Sequence, residues 1–366
     1  MEIDEKLYWF GFSLFNGIGP KRFALLKNYF GSAQKAWQAS LPELLKVGLN
    51  PQLAQSFVEF RQKTNLDSSF LRLREKKIEC QTIDDKNYPE NLKKIDNPPF
   101  ILYKKGEIKT QDSLAIAVVG TRKMSSYGKQ VTEKLVSELV GYGLTIVSGL
   151  ARGVDTIAHQ TAVNCKGRTI GVLACGLDLI YPPENKILAE KIINGYGSVI
   201  SEFPPGCQAV PGNFPARNRI IAGLSLGTLV IEGEVGSGSL ITARHAVEQG
   251  REVFAVPGPI TSSNSAGPAL LIKQGAKLVE NVQDILEELN IDNRTKNIVH
   301  SAKEIRAENP EEEIIFNILI NEEKHIDQII RESKMDIGKV TSLLTMMEIK
   351  GMIKNLGNMI YVINNR

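Results

Sequence analysis

Two short apolar runs, each ending in a glycine-rich turn, fill residues 114–155 and restrict the fold more than any other stretch. Leu114-Ala115-Ile116-Ala117-Val118-Val119 is continuous and apolar, the pattern of a strand buried on both faces. It runs into Gly120-Thr121-Arg122-Lys123. Ser125-Ser126-Tyr127-Gly128 then opens a helical pattern with a serine suited to capping, and Leu135, Leu139 and Val140 supply an apolar face. After Gly141 and Gly143, Leu144-Thr145-Ile146-Val147 begins a second strand. Ser148-Gly149-Leu150-Ala151-Arg152-Gly153-Val154-Asp155 turns it into a second helix. This is a βαβ unit with both turns at the carboxyl ends of parallel strands, the edge where open α/β sheets bind ligands. Free amides at the helix starts, with Arg122, Lys123 and Arg152, make that edge a site for an anion, most simply phosphate.

The alternation continues downstream. Thr169–Ala174, Ser198–Ile200, Thr228–Glu232 and Val253–Val256 read as strands. Phe214-Pro215-Ala216-Arg217-Asn218-Arg219 opens an apolar helix through Leu224, and Gly233–Ser239 is a third glycine-rich turn, holding Gly236, Ser237, Gly238 and Ser239. The expected fold over residues 65–289 is α/β: a doubly wound, mostly parallel, extended Rossmann-like sheet with right-handed crossovers.

Residues 1–64 read as a separate helical domain containing two similar hairpins. Gly17-Ile18-Gly19 matches a helix-hairpin-helix turn, and Gly48-Leu49-Asn50 is a degenerate copy. Such hairpins either grip a DNA backbone or serve only as packing. Residues 290–310 are polar and aperiodic, a linker. Residues 311–366 read as a winged helix, with Val340, Leu343, Leu344 and Met347 on one face of its third helix. That helix offers only Lys339 and Lys350 as cations, which favours a protein contact or an assisting role over groove reading.

Several function classes drop out. Lys+Arg 44 against Asp+Glu 41 leaves +3, so nucleic-acid affinity must come from a local patch. Cys80, Cys165, Cys175 and Cys207 show no metal-ligand spacing; no metal and no cofactor are expected, and a reducing cytoplasm fits. The acidic N-terminus is no signal peptide, and no apolar run spans a bilayer, so no membrane partner is expected. Gly120 and Gly128 do not make a dinucleotide fingerprint, and there is neither a Walker A sequence nor a nucleophile elbow. His159 sits in an ordinary amphipathic helix and reads as structural. Glu232 and Glu234 follow a strand end; they serve either as acid and base of a hydrolase or as hydrogen-bonding groups of a helix start.

Arg217-Asn218-Arg219 has two readings, a phosphate clamp of two guanidinium forks or an ion-pair network with Glu202, Glu232 or Glu234. Taken in order, Gly120-Thr121-Arg122, Ser148 to Asp155, Gly176-Leu177-Asp178 with Tyr181-Pro182, Ser201-Glu202, Phe214 to Ile221 and Gly236 to Leu240 resemble the DprA/Smf DNA-processing proteins. The resemblance implies a non-enzymatic protein that binds single-stranded DNA, forms a homodimer through the α/β domain, loads RecA-type recombinase and protects incoming DNA in natural transformation. The expected contacts are Gly120, Thr121, Arg122, Lys123, Ser148, Gly149, Arg152, Gly153, Arg217, Asn218, Arg219 and Gly236 to Ser239, with Tyr127 and Phe214 as base-stacking platforms. No lysine or arginine lies between Pro205 and Gly212, where some members place one. The rival reading is an enzyme resembling the phosphoribohydrolases, with Glu232 or Glu234 doing the chemistry; the missing P-G-G-x-G-T turn counts against it.

Overall fold

The computed structural model describes residues 3–291, 310–319, 323–349, 352–355, 357 and 359–363, in two compact units, one through Ile291 and one from Pro310 onward. In the first, the strands are β1 (Glu79–Thr82), β2 (Ile101–Gly106), β3 (Ala115–Val119), β4 (Thr145–Ser148), β5 (Thr169–Val172), β6 (Gly197–Ser201), β7 (Gly227–Val230), β8 (Glu252–Ala255) and β9 (Lys277–Leu278). They form one nine-stranded sheet in the order β1-β2-β6-β5-β4-β3-β7-β8-β9. From β6 to β9 every pair is parallel; β1 and β2 add an antiparallel edge. The doubly wound α/β architecture expected from the alternation is therefore present, and the two-residue β9 leaves little edge open for pairing.

All five residues of β3 are buried, and their period of two sorts them between faces. Ile116 and Val118 meet Leu135, Leu139, Ala158 and Ala162 from the helices Ser126–Gly141 and Val154–Asn164. Ala115, Ala117 and Val119 meet Ile220, Ile221, Leu224, Ala243 and Ala246 from Asn213–Leu224 and Gly238–Glu248. The chain winds outward from β3 to β6, then crosses back to place β7 on the other side of β3. The switch point is thus the crevice above the carboxyl ends of β3 and β7.

The N-terminal helices do not stand apart as the sequence reading had it. Their aromatic core of Trp9, Phe10, Phe12, Phe23 and Phe57 continues into Phe100, Tyr103 and Leu177 of the α/β part. Phe23 stacks on Phe100 at 4.2 Å between ring centres, and the Ser13 and Tyr103 hydroxyls lie 2.5 Å apart. The two hairpins are in contact: a Cβ on Gly17 would sit 2.7 Å from Leu53 Cδ1.

The second unit has helices Pro310–Leu319, Ile326–Ser333 and Ile337–Ile349 and a three-stranded sheet of Lys324–His325, Ile360–Ile363 and Ile353–Asn355. Ile315, Leu319, Ile329, Val340, Leu344 and Met347 form its core. This is the winged helix expected; the two-residue strand Lys324–His325 carried no sequence signal. Lys339 is ion-paired with Glu311. Residues 292–309 of the expected linker, and Lys350, lie outside the described residues. Among the described residues no helix is long and apolar enough to cross a membrane.

Candidate nucleic-acid interface

Three glycine turns meet at the switch point, and the glycines let them touch. A Cβ on Gly120 would lie 2.5 Å from Val154 Cγ2. Gly153 has φ +77°, and a Cβ there would lie 2.2 Å from the Thr121 carbonyl. Backbone bonds lace the turns together: Thr121 N–H donates to the Glu232 carbonyl at 2.7 Å and Val154 N–H to the Thr121 carbonyl at 3.2 Å. The result is a groove of about 860 Å³ lined by the turn after β3, the turn after β7 and the start of the helix Asn213–Leu224. That volume is in the range of clefts that take an organic ligand rather than a single ion.

Arg122 and Lys123 are exposed in this groove, and neither forms an ion pair among the described residues. The Arg122 guanidinium lies 5.2 Å from the centre of the Phe214 ring, and Tyr181 meets the same ring edge-on at 5.9 Å. Asn264 fixes the cation loop by donating from Nδ2 to the Lys123 carbonyl at 3.1 Å. On the opposite wall, Ser237 caps the helix Gly238–Glu248, and a Cβ on Gly236 or Gly238 would meet nothing within 4 Å, leaving that backbone open to a ligand.

Arg217 is buried beneath Arg122. Its Nη1 donates to the Gly149 carbonyl at 2.7 Å and to the Val172 carbonyl, and its Nε donates to Asn218 Oδ1 at 3.1 Å. Gly149 has no side chain because a Cβ would lie 2.7 Å from that guanidinium. Burial pushes Arg217 down to about 10, Asp155 opposing and Arg122 adding to the shift, so it stays charged at neutral pH. Asp155, whose own carboxyl is raised by burial, accepts from the Gly149 and Ala151 amides at 3.0 and 3.3 Å and holds the turn after β4.

Gly120, Thr121, Arg122, Lys123, Arg217, Asn218 and Gly236 to Ser239 thus line the groove, with Gly149 and Arg152 at a small cavity beside it. Asn218 also ties the walls together, donating from Nδ2 to the Gly238 carbonyl at 3.2 Å. Arg152 is paired with exposed Glu184 at 2.5 Å. Ser148, Gly153 and Arg219 line neither space. Ser148 is fully buried and donates to the Val118 carbonyl at 2.6 Å, joining β4 to β3. Gly153 is pressed against Thr121. Arg219 points away, donating to the Asn97 carbonyl at 2.7 Å and pairing with Glu202, so at this residue the ion-pair reading holds. Of the two stacking platforms, Phe214 is in the groove; Tyr127 lies outside it, its hydroxyl donating to the Pro257 carbonyl at 2.6 Å.

The sequence reading missed Tyr181 and Asn264 as groove residues. Tyr181 stood in a motif already singled out; Asn264 lies in a loop with no local signal.

Glu232 is 2% exposed, with Oε1 accepting from Ser125 Oγ at 2.5 Å and Oε2 from Ser125 N–H at 2.9 Å. It anchors the start of the helix Ser126–Gly141, and Gly128 leaves room for its carboxylate, which a Cβ would approach to 2.3 Å. Glu234 lies on the rim and accepts from Ser263 Oγ at 3.2 Å. His159 is fully buried, and burial pushes it down to about 3. Thr169 Oγ1 donates to the Ile146 carbonyl, so it accepts from His159 Nδ1, which fixes a neutral tautomer.

Residues 79–290 match the family model for DNA recombination-mediator protein A, and residues 300–359 match the DprA winged helix domain. The chain belongs to the DNA recombination-mediator protein A family. It is 38% identical over 315 residues to Protein Smf of Escherichia coli K12, covering 85% of this chain and 84% of that one. It is 47% identical over 217 residues to DNA processing protein DprA of Bacillus subtilis 168, covering 59% and 73%. The X-ray structure of DNA processing protein A from Streptococcus pneumoniae superposes with a TM-score of 0.67 at 37% identity, over 79% of this chain and 99% of that one. A Helicobacter pylori member, solved for its single-stranded DNA binding mode, superposes with a TM-score of 0.52 at 32% identity, over 58% and 95%. The family match spans the whole nine-stranded sheet, including every residue of the groove.

Proposed function

We propose that the groove binds single-stranded DNA without turning it over, and that the protein acts as a recombination mediator. In this role it protects incoming strands and loads a RecA-type recombinase during natural transformation. The observation that carries the reading is the pair Arg122 and Lys123, exposed at the switch point without a carboxylate partner among the described residues, Arg122 over the Phe214 ring. Backbone phosphates would lie on the glycine turns and these cations, with a base against the aromatic pair Phe214 and Tyr181. Arg217 and Asn218 hold the floor. The Helicobacter pylori member, solved for its single-stranded DNA binding mode, supports the choice of ligand. The recombinase contact and a homodimer through the α/β domain rest on family membership. The winged helix, whose Lys339 is occupied by Glu311, serves protein contact or assists DNA binding. Against a hydrolase, Glu232 is already bonded to Ser125.

The test is a competition between single-stranded and duplex oligonucleotides of one sequence at physiological salt, with nucleotide and DNA products followed in the same samples. Preference for the single strand and no product is expected. Equal affinity for both forms, or hydrolysis abolished by Glu234→Gln, refutes the reading.

A further inference from the structure

The turn after β5 contributes no cation to the groove, yet it brackets the loop that forms one of the groove's walls. Gly176 N–H donates to the Cys207 carbonyl at 2.9 Å, and Asn213 Nδ2 donates to the Ala174 and Gln208 carbonyls at 3.1 and 3.2 Å. A Cβ on Gly176 would lie 2.5 Å from the Pro204 carbonyl, so the two segments touch along their backbones. Asp178 closes the bracket. Its Oδ1 accepts from the Gly206 amide at 2.9 Å and its Oδ2 from Lys76 Nζ at 2.9 Å, and at 14% exposure the side chain is largely out of water.

The loop held in this way has neither helix nor strand between Pro205 and Val210, and no charged side chain from Pro205 to Ala216. Ala209 and Pro211 line the groove beside Tyr181, Phe214 and Pro215. Val210, between them, is 48% exposed. The exposed cations stand on the turn after β3 instead. A wall of methyl, pyrrolidine and aromatic groups offers a phosphate no cation of its own, whereas the flat faces of bases gain by leaving water against it.

We propose that Asp178 is a positioning residue for strand binding: by fixing the Gly206 amide it holds Ala209 and Pro211 as a base-facing wall, so that this side of the groove takes bases and the turn after β3 takes phosphates. The inference rests on the single-strand reading of the groove and deepens it by dividing the strand between the two walls. What the position requires is an oxygen acceptor for Gly206; the charge serves the pair with half-exposed Lys76, which contributes little.

The test uses anisotropy of a labelled strand, and of an abasic strand of the same length that keeps every phosphate, across a salt series. Wild-type protein should bind the intact strand roughly tenfold more tightly or better. Asp178→Ala should weaken the intact strand roughly tenfold, leave the abasic strand unaffected and keep the wild-type salt slope, because no phosphate contact is lost. Asp178→Asn, which retains an acceptor for Gly206, should recover most of that affinity. Pro211→Ala, on the exposed loop itself, should show the same base-dependent loss at roughly threefold. Wild-type affinity in Asp178→Ala, equal losses on both strands, a flattened slope or no rescue by asparagine overturns the assignment. Pro211→Ala decides the case even where Asp178→Ala fails to fold: a loss shared by both strands overturns the proposal. Equal wild-type affinity for the two strands overturns the base-facing wall and leaves phosphate binding in the groove standing. Failure of the wild type to bind either strand overturns the groove reading itself.

Discussion

Arg122→Ala and Arg217→Ala each remove one guanidinium from the same groove, and they should fail in different ways. Arg122 is exposed and makes no ion pair among the described residues, so its loss should change stability by less than about 0.5 kcal/mol. If it contacts one phosphate, the slope of log affinity against log salt should flatten by about 0.7, and affinity should fall by about 1.5–3 kcal/mol, roughly 10- to 150-fold. Arg217 is different. Removing it strands the Gly149 and Val172 carbonyls that share its Nη1 and leaves Asp155 buried without its charge partner. Leaving two buried carbonyls without a donor costs about 1–3 kcal/mol each, and at about 2 °C per kcal/mol for a unit this large Tm should fall by roughly 4–12 °C. Both proteins should be titrated with a labelled single strand across a salt series, and their thermal unfolding followed in the same buffers. An Arg122→Ala protein with wild-type affinity and slope refutes the groove. An Arg217→Ala protein with wild-type Tm refutes the structural half of the reasoning.

Other perturbations test the supporting structure. Gly128→Ala should lower stability by about 1–3 kcal/mol in chemical denaturation, because the new Cβ must displace the Glu232 carboxylate 2.3 Å away; an unchanged midpoint would show that carboxylate to be free. Arg219→Ala should lower Tm through loss of the Glu202 pair and leave the salt slope of strand binding unaltered; a flattened slope would return Arg219 to the interface. The folded state keeps His159 neutral down to about pH 3, whereas an unfolded chain protonates it below about 6.5. Its contribution is therefore complete above about pH 6.5 and is lost as pH falls from there towards 3, at up to about 1.4 kcal/mol per unit. A Tm–pH profile should be flatter for His159→Gln over that window than for the wild type, and parallel profiles would refute the burial argument.

The sheet was legible because its physics is local. A strand buried on both faces is mostly apolar, and glycine marks where another element presses against a turn, so Ala115–Val119 with Gly120 and Thr145–Ser148 with Gly149 announce themselves. The partners of the charged groups were not legible, because the fold alone decides them. Nothing near Gly128 signals that a carboxylate from residue 232 must lie on it, and nothing near Lys123 points to Asn264. Likewise, the sequence of residues 1–64 showed a set of helices but not that its aromatics would be shared with Phe100 and Tyr103 across the sheet edge.

The two arginines of Arg217-Asn218-Arg219 lie between these cases, and helix geometry settles them. A clamp made from both arginines requires them on one side of the chain, but residues two apart on a helix lie on roughly opposite faces. Once the helix starts at Asn213, only one of the two can face the switch point. The inward position sits over the ends of β4 and β5, where the carbonyls of Gly149 and Val172 await a donor, and Arg217 takes it. Arg219 is then turned towards Asn97 and Glu202. A second cation for the groove must therefore come from another turn, and Arg122, at the end of β3, is the arginine that the topology brings over the same Phe214 ring.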